Sequence, residues 1–333
     1  MKQYRIETTA AGNLWRIRDV PTPIPANRQV LVKIQAVSLN YRDVLVSRSD
    51  DPRAIIPCSD GAGVVVDIGA DVTRCKIGDR VAGLFFQTWF DGPFRGDVQN
   101  HALGGAIDGV LAEYVALPED GVIEIPDTLS FEEAATLPCA ALTAWNALEE
   151  SSAVKPGQTV LLLGTGGVST FALQFAKAAG ARVLMLSSSD AKLERAMQMG
   201  ADATLNYRDH SDWPGWVVAN TDGNGVDLVL DVGGPGTLDK SMAAARHSGT
   251  VTITGVLTGF DGGVSPLPAL LKSLRLQGIY VGNRAMFERM LQAIQHRQIE
   301  PVIDRVFAFA EAPAALSYLQ GARHFGKVVV RVH

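Results

Sequence analysis

Cysteine is scarce in this sequence: 333 residues include only 3 cysteines, too few for a small scaffold held together by disulfide bonds. Basic residues are not in excess, because 30 Lys+Arg against 35 Asp+Glu give a net charge of -5, so nucleic acid is not an expected partner. No window approaches the apolar length of a membrane span, and the N-terminus lacks an apolar signal core. We therefore expect a cytoplasmic protein that does not bind a membrane.

Apolar material, in contrast, is abundant, since 47% of the residues are hydrophobic. The chain is longer than one hydrophobic core usually fills, which predicts two domains. Short β-rich runs occupy the first part, and Ser130 begins a capping box that marks a helix start. From Lys155 onward apolar strands alternate with amphipathic helices, as in a doubly wound parallel sheet. The β-rich texture then returns near the C-terminus, so the predicted domains are 1–129, 130–297 and a return to the first domain over 298–333.

A glycine-rich turn is the sharpest local signal. The strand Leu161–Leu163 runs into Gly164-Thr165-Gly166-Gly167-Val168 and then into a helical stretch. Glycines allow a tight turn and close approach of a ligand to the backbone, and the helix start favours a pyrophosphate. The third glycine of the usual motif is replaced by Ser169. Because a strand precedes the turn and a helix follows it, the turn predicts a dinucleotide-binding site.

The end of the next strand bears on the choice of cofactor. NAD sites usually offer an acidic side chain to the ribose about twenty residues after the glycine turn. Here the chain has the hydroxyls of Ser187 and Ser188, followed by Lys192, which suit a 2′-phosphate. Asp190 is interpreted as a helix-capping residue. The sequence therefore predicts NADP as the cofactor, with NAD as the alternative.

Taken together, these motifs resemble the medium-chain dehydrogenase/reductases, and more narrowly their zinc-independent quinone oxidoreductase and alcohol-dehydrogenase-like branch. The resemblance covers nearly the whole chain. It rests on Ala36–Asp43, Pro57–Gly63, Val72–Val81, Leu137–Trp145, the glycine turn, Gly233-Gly234 and His324–Val329. It implies an α/β protein with a GroES-like β-rich catalytic domain and a Rossmann domain. It also implies a homodimer formed through the last Rossmann strand, near Leu276–Gly282.

The zinc positions of the family are mostly vacant in this sequence. Asn40 stands where zinc enzymes have a cysteine, and Ser59-Asp60 stand where they have a His-Glu pair. Only Cys139 retains a ligand, and a catalytic zinc needs three protein ligands. The stretch that carries the cysteines of the structural zinc, Gln87–Gly109, contains none. We therefore expect neither zinc site to be present, and no other metal.

The resemblance also assigns cofactor contacts. Lys192 and Tyr207 match positions that contact the adenosine 2′-phosphate, and Thr143 matches a position near the nicotinamide. The backbone runs beside the ribose and nicotinamide are matched by Gly255-Val256-Leu257 and Gly282-Asn283. From the residues alone, Tyr207 would be interpreted as an ordinary aromatic at a strand end.

Without a metal, hydrogen-bond donors must stabilise the charge that forms on the acceptor oxygen. Asn40 and Tyr41 are the candidate donors, and Asp43 is expected to orient their loop. A quinone or enone tolerates so few catalytic groups, because its reduced form is delocalised. The leading hypothesis is therefore an NADPH-linked reductase of quinones, enones or related small-molecule carbonyls.

Three points stay open at this stage. One alternative to that hypothesis is an NAD-linked alcohol-dehydrogenase-like enzyme. The other is a non-enzymatic protein that binds the nicotinamide cofactor as a redox sensor. The aromatic segment Phe85–Phe90 fits a substrate lid and a hydrophobic cluster equally well.

Overall fold

The structure is a computed structural model that describes residues 1–9, 12–48 and 54–333. The chain divides into two compact units. One comprises Met1–Leu142 together with Gly282–His333, and the other comprises Thr143–Val281. Across these described ranges, no helix is both long enough and apolar enough to cross a membrane.

The described residues form the following strands: β1 Lys2–Thr9, β2 Gly12–Asp19, β3 Gln29–Leu39, β4 Asp60–Ile68, β5 Arg80–Gly83, β6 Tyr114–Pro118, β7 Val122–Glu124, β8 Thr159–Leu163, β9 Arg182–Ser187, β10 Ala203–Asn206, β11 Val226–Asp231, β12 Ala245–Ile253, β13 Arg275–Gly278, β14 Ile303–Ala308 and β15 Lys327–Arg331. They form the following α-helices: α1 Tyr41–Ser47, α2 Phe131–Ala134, α3 Leu142–Trp145, α4 Gly167–Ala178, α5 Asp190–Gln198, α6 Trp213–Ala219, α7 Pro235–Ala244, α8 Leu267–Leu271, α9 Arg284–Arg297 and α10 Ala312–Gln320. Two π-helical turns, Leu137–Ala141 and Asn146–Glu150, flank α3.

The first unit is built on a seven-stranded sheet with the order β14-β15-β3-β4-β5-β7, in which β6 also pairs with β3. Strand β3 is the centre of this sheet because it pairs with β15, β4 and β6, all antiparallel. Its apolar side chains, among them Val30, Val32 and Ile34, are buried. The C-terminal strand β15 lies directly beside β3, with Val328 opposite Leu39. The end of β3 and the start of β15 are therefore neighbours.

The second unit is a parallel six-stranded sheet with the order β10-β9-β8-β11-β12-β13. Strands β8 to β10 extend the sheet in one direction and β11 to β13 in the other. Ligands of such sheets bind where the order reverses, at the carboxyl ends of the strands. Here the reversal lies between β8 and β11. The doubly wound fold predicted from the sequence is thus confirmed.

Local predictions agree closely with the structure. The capping box at Ser130 forms: its amide donates to Glu133 Oε2 (2.8 Å) and its Oγ accepts from the Glu133 amide (3.2 Å).

In the aromatic segment, Phe85, Phe86 and Trp89 are buried, and Phe86 and Trp89 pack against Phe94. These side chains form a hydrophobic cluster, which disfavours a lid.

Candidate active site

Asn40 lies at the junction between β3 and α1. Its extended backbone makes it the residue before the first turn of the helix, and its amide donates to Asp43 Oδ2 at 2.7 Å. Such a contact holds a helix start by satisfying one of its free amides. Asn40 is 8% exposed and Asp43 is 1% exposed. The prediction that Asp43 orients this turn agrees with the contact.

Lys327, the first residue of β15, reaches the same junction. Its Nζ donates to Leu39 O at 2.7 Å and to Asn40 Oδ1 at 2.5 Å. The turn before it requires glycine, because Gly326 has φ +83° and a Cβ there would meet Val302 O at 2.4 Å. Lys327 is 3% exposed, which is rare for lysine unless it is paired.

An opposite charge nearby is Asp60, the fully buried first residue of β4, where the charge of Lys327 opposes the rise in pKa that burial causes. One carboxylate oxygen accepts from Ser59 Oγ at 2.6 Å and the other from the Cys139 amide at 3.1 Å. Cys139 lies in the π-helical turn Leu137–Ala141. Such turns are frequent at functional sites. Hydrogen bonds therefore join three of the positions that zinc enzymes use as ligands, Ser59, Asp60 and Cys139, whereas the fourth, Asn40, is bonded to Lys327.

Burial governs the ionisation of this network. It raises the pKa of Asp43 to about 6, although the charges of Arg42 and Lys327 oppose the shift. It also raises the pKa of Asp60, against the opposing effects of Lys327, Ser59, the nearby Asn40 amide and the Cys139 amide. Asp43 was expected to orient rather than titrate, but its raised pKa brings its titration close to neutral pH.

Two buried polar atoms of this site have no hydrogen-bond partner among the described residues: Asn40 Nδ2 and Asp43 Oδ1. Buried polar groups are nearly always paired in native proteins, so an orphaned donor indicates a place for a ligand or water. Asn40 Nδ2 lowers the pKa of Asp60 by its proximity, but it does not meet that carboxylate in hydrogen-bonding geometry.

Arg42 and Tyr41 complete the segment. Arg42 donates to Leu103 O, and its guanidinium lies 4.5 Å from the centre of the Phe85 ring. It is therefore fixed by structural contacts. Tyr41 is the partly exposed first residue of α1.

No group of three or more His, Cys, Asp or Glu residues within the described ranges could hold a metal ion. Cys139 contributes the site's thiol, and desolvation followed by the charge of Asp60 raises its pKa. Zinc binds thiolates, neutral imidazoles and carboxylates. Here both oxygens of the Asp60 carboxylate already accept hydrogen bonds, and a cation already lies on the oxygen of Asn40. The donor set therefore does not fit a zinc ion.

In the second unit, the glycine turn follows β8 as predicted. Gly164 has φ +75° and α4 begins at Gly167, with no side chain capping its first turn. Ser169, in place of the third glycine, donates from Oγ to Leu163 O at 2.7 Å. The serine thus ties the helix to the strand end and leaves the first amides of α4 open, which fits a pyrophosphate.

The other predicted cofactor residues of this unit lie at the carboxyl ends of the strands. Ser187 ends β9 opposite Asn206 of β10, and its carbonyl accepts from the Tyr207 amide at 3.0 Å. The hydroxyl oxygens of Ser187 and Thr165 lie 3.4 Å apart. Asp190 Oδ1 accepts from Asn206 Nδ2 at 2.9 Å, and Ser189, not Asp190, precedes the helix.

The remaining predicted residues are distributed over both units. The second unit also contains Thr143, Ser188, Lys192 and the run Gly255-Val256-Leu257. In this run, Gly255 and Val256 pack beside Gly234 of the Gly233-Gly234 turn. The first unit contains Gly282 and Asn283. The Asn283 side chain caps α9 by accepting from the Met286 amide at 2.9 Å.

Two family models match the chain: an alcohol dehydrogenase GroES-like domain over residues 26–127 and a zinc-binding dehydrogenase over residues 167–296. The zinc-type alcohol dehydrogenase-like protein C1773.06c of Schizosaccharomyces pombe is 42% identical over 315 residues, 91% of each chain. The chain belongs to the medium-chain dehydrogenase/reductase superfamily. A quinone oxidoreductase of Pseudomonas aeruginosa is 30% identical over 98% of each chain.

Solved structures of this family agree with the fold. An NAD-dependent alcohol dehydrogenase has a TM-score of 0.89 and 31% identity over 100% of both chains. The mycobacterial protein Rv1454c, solved with NADPH, has a TM-score of 0.83 and 26% identity over 100% of both chains. The chain is accordingly an NAD(P)-dependent oxidoreductase acting on small molecules. The non-enzymatic alternative is set aside.

Sequence reasoning missed Lys327. It included this lysine only within the segment His324–Val329, without a role, but it is Lys327 that contacts Asn40. A lysine at the start of an apolar strand was the available signal, since Lys327 precedes Val328-Val329-Val330 and must be either buried or at the sheet edge.

Proposed function

We propose that this protein reduces quinones, enones or related conjugated carbonyls with NADPH and without zinc. The observation that carries this proposal is the buried Nδ2 of Asn40, a hydrogen-bond donor with no partner among the described residues. It lies beside a buried ammonium and two buried carboxyl groups.

Hydride addition to a carbonyl or conjugated acceptor places negative charge on its oxygen. The nicotinamide cofactor supplies the hydride when bound. Asn40 Nδ2 offers that oxygen a preorganised hydrogen bond in a desolvated place, where such a bond is strongest. A delocalised quinol or enol needs little further stabilisation and takes its proton from solvent. An isolated alkoxide would need a stronger electrophile, so conjugated acceptors are favoured.

The donor set supports the proposal that the enzyme works without zinc. Asn40 Oδ1 is bonded to an ammonium, and Asp60 accepts two hydrogen bonds. These groups are committed to one another rather than to a metal. We expect dialysis against a chelator to leave activity unchanged, and metal analysis to find less than about one-tenth of an equivalent of zinc, a ceiling set against the full equivalent of an occupied site.

The preference for NADPH rests on the second unit. Asp190, the acidic residue in this region, is engaged by Asn206. Ser188, Lys192 and Tyr207 follow the carboxyl ends of two neighbouring parallel strands, which brings their backbones to one edge of the sheet. A serine, a lysine and a tyrosine suit a phosphate better than a ribose diol.

Steady-state oxidation of NADPH tests the proposal against benzoquinone, naphthoquinone and a cyclic enone, with a saturated ketone as control. We expect turnover of the conjugated acceptors and little with the saturated ketone. Asn40→Ala should lower kcat by roughly 10²–10³-fold, the usual cost of removing one oxyanion donor. Protein that binds NADPH but reduces none of these acceptors would contradict the proposal.

Cofactor choice is tested separately. Lys192→Ala should weaken NADPH binding about tenfold or more, by the typical value of a charge-assisted contact, and leave NADH binding nearly unchanged. Lys155→Ala, at an exposed lysine of the same unit, is the matched control. Equal effects of Lys192→Ala on both cofactors would contradict the assignment.

A second candidate is an NAD-linked alcohol-dehydrogenase-like activity, favoured by the likeness to the NAD-dependent alcohol dehydrogenase. Tighter binding of NAD than of NADP in a fluorescence titration would support it. The homodimer through β13 and the cytoplasmic location also remain proposals. The dimer draws support from the position of β13 at the sheet edge and from Leu276, which is 41% exposed.

A further inference from the structure

We propose that Lys327 is a positioning residue that fixes the amide of Asn40 so that Nδ2 faces the substrate oxygen. The inference rests on the proposed function, because it gives Asn40 the role of the donor. Nothing in the family matches assigns this task to Lys327. The contact itself is short and wholly buried, with Nζ 2.5 Å from Asn40 Oδ1.

The orientation of the Asn40 amide follows from the chemistry of its neighbour. An ammonium has three donors and no acceptor, so only the oxygen of an amide can face it. Oδ1 must therefore point toward Lys327, and Nδ2 must point away from it. Without this cation, only the neighbouring Asp60 carboxylate would favour one end of the amide, and the flipped orientation would become populated. Lys327 removes that choice before any substrate arrives.

Lys327 is itself held in place from two sides. Its Nζ also donates to Leu39 O at 2.7 Å, the last carbonyl of β3. Its backbone begins β15 and its amide donates to Val302 O at 2.8 Å. The ammonium is thus fixed to the sheet, and its hydrogen bond also fixes the side chain of Asn40, the residue before α1.

A purely structural role for Lys327 is the competing explanation. In that role, Lys327 would only balance the buried charge of Asp60, whose pKa it lowers. The two roles predict different results when both charges are removed together. Balance alone is restored in Asp60→Asn/Lys327→Met, whereas the hydrogen bond to Asn40 Oδ1 is not.

The decisive experiment is a double-mutant cycle on kcat. We expect Lys327→Met to lower kcat roughly 10–100-fold with little change in KM, by analogy with residues that orient ligands from behind. Asn40→Ala/Lys327→Met should be no slower than Asn40→Ala, because both changes remove the same donor. Lys327→Arg should recover part of kcat, and Asp60→Asn/Lys327→Met should stay slow. Multiplicative losses in the cycle, or recovery in the charge-free double variant, would overturn the proposal.

Lys272→Met serves as the control for effects on folding stability. Lys272 also holds backbone carbonyls, those of Met242, Ala243 and Ala245, but lies in the other unit. It should lose thermal stability without a selective loss of kcat. Neutron structures of the perdeuterated wild type and Lys327→Met, which distinguish amide nitrogen from oxygen, give a readout that needs no substrate: Asn40 should occupy one orientation in the first and two in the second. An unchanged Asn40 overturns the positioning role, whereas an inactive wild type with a reoriented Asn40 in the variant contradicts only the proposed function.

Discussion

The backbone amide of Cys139 donates a hydrogen bond to Asp60 Oδ2 over 3.1 Å, although 79 residues separate them in the sequence. Both residues stand at positions where the zinc enzymes of the family carry ligands. In this protein the carboxylate binds an amide and a serine hydroxyl instead of a metal ion. Burial and the charge of Asp60 raise the pKa of the Cys139 thiol and so favour its protonated form.

Cys139 should therefore be unreactive. Its desolvated surroundings and the charge of Asp60 raise its pKa, so the thiolate is scarce at neutral pH. Alkylation by iodoacetamide at pH 7.5, followed by mass spectrometry of the Cys139 peptide, should be roughly tenfold slower than that of glutathione, or slower still. Cys139→Ala should keep kcat/KM within about threefold of the wild type, since packing rather than chemistry is lost. Rapid alkylation that abolishes activity would contradict this prediction.

Asp43 should make the stability of the protein depend on pH. Burial raises its pKa to about 6, so its protonated form favours the folded state. That contribution is complete below about pH 4 and is lost as the pH rises through about 6. Between pH 4 and 7, the free energy of unfolding should therefore fall by up to about 3 kcal/mol less in Asp43→Asn than in the wild type.

Urea denaturation at a series of pH values measures this difference. Asp127→Asn is the control, because the Asp127 side chain is 96% exposed. Asp60 has a pKa raised in the same direction, so some pH dependence should remain in Asp43→Asn. An identical pH profile for the wild type and Asp43→Asn would show that Asp43 does not titrate in this range.

Ser169 should stabilise the second unit more than the glycine of the usual motif would. Its buried hydroxyl donates to Leu163 O, and the loss of such a bond costs about 1 kcal/mol. Ser169→Ala should therefore lower the free energy of unfolding by about 1 kcal/mol, and Ser169→Gly by about 0.5 kcal/mol more, because glycine is less favourable than serine within a helix. Denaturation measures both values, and Ser317→Ala, which removes an exposed hydroxyl bond in α10, should have almost no effect. A more stable Ser169→Gly variant would refute the argument.

The edge strand β13 should mediate a homodimer. Among the described strands it pairs only with β12, and Leu276 on it is 41% exposed. Sedimentation velocity at micromolar protein should give a dimer, and Leu276→Lys should shift it toward monomer by placing charge at the contact. Ile24→Lys, at an 89% exposed site of the other unit, should leave the dimer intact. A monomeric wild type would exclude this interface.

Much of the fold could be predicted because the signals are local. The alternation of apolar strands and helices, the glycine turn at Gly164 and the capping box at Ser130 depend on neighbours within a few residues. Helix α4 begins at Gly167, inside the glycine turn, since Gly166 already has the extended backbone of a residue before a helix. The replacement of the zinc ligands could also be predicted, because it depends only on which residue types stand at those positions.

What the sequence determined by itself is the family, the two kinds of sheet and the residue types at the site. It named Asn40 and Asp43, and it named Asp60 and Cys139 as vacated ligand positions. Only the tertiary structure decided which partners these residues have. The pairing of β15 with β3 brings Lys327 to Asn40 from 287 residues away, and burial then turns that contact into a fixed charge. Neither strand register nor desolvation is written in a local pattern, because both arise from the packing of the whole unit.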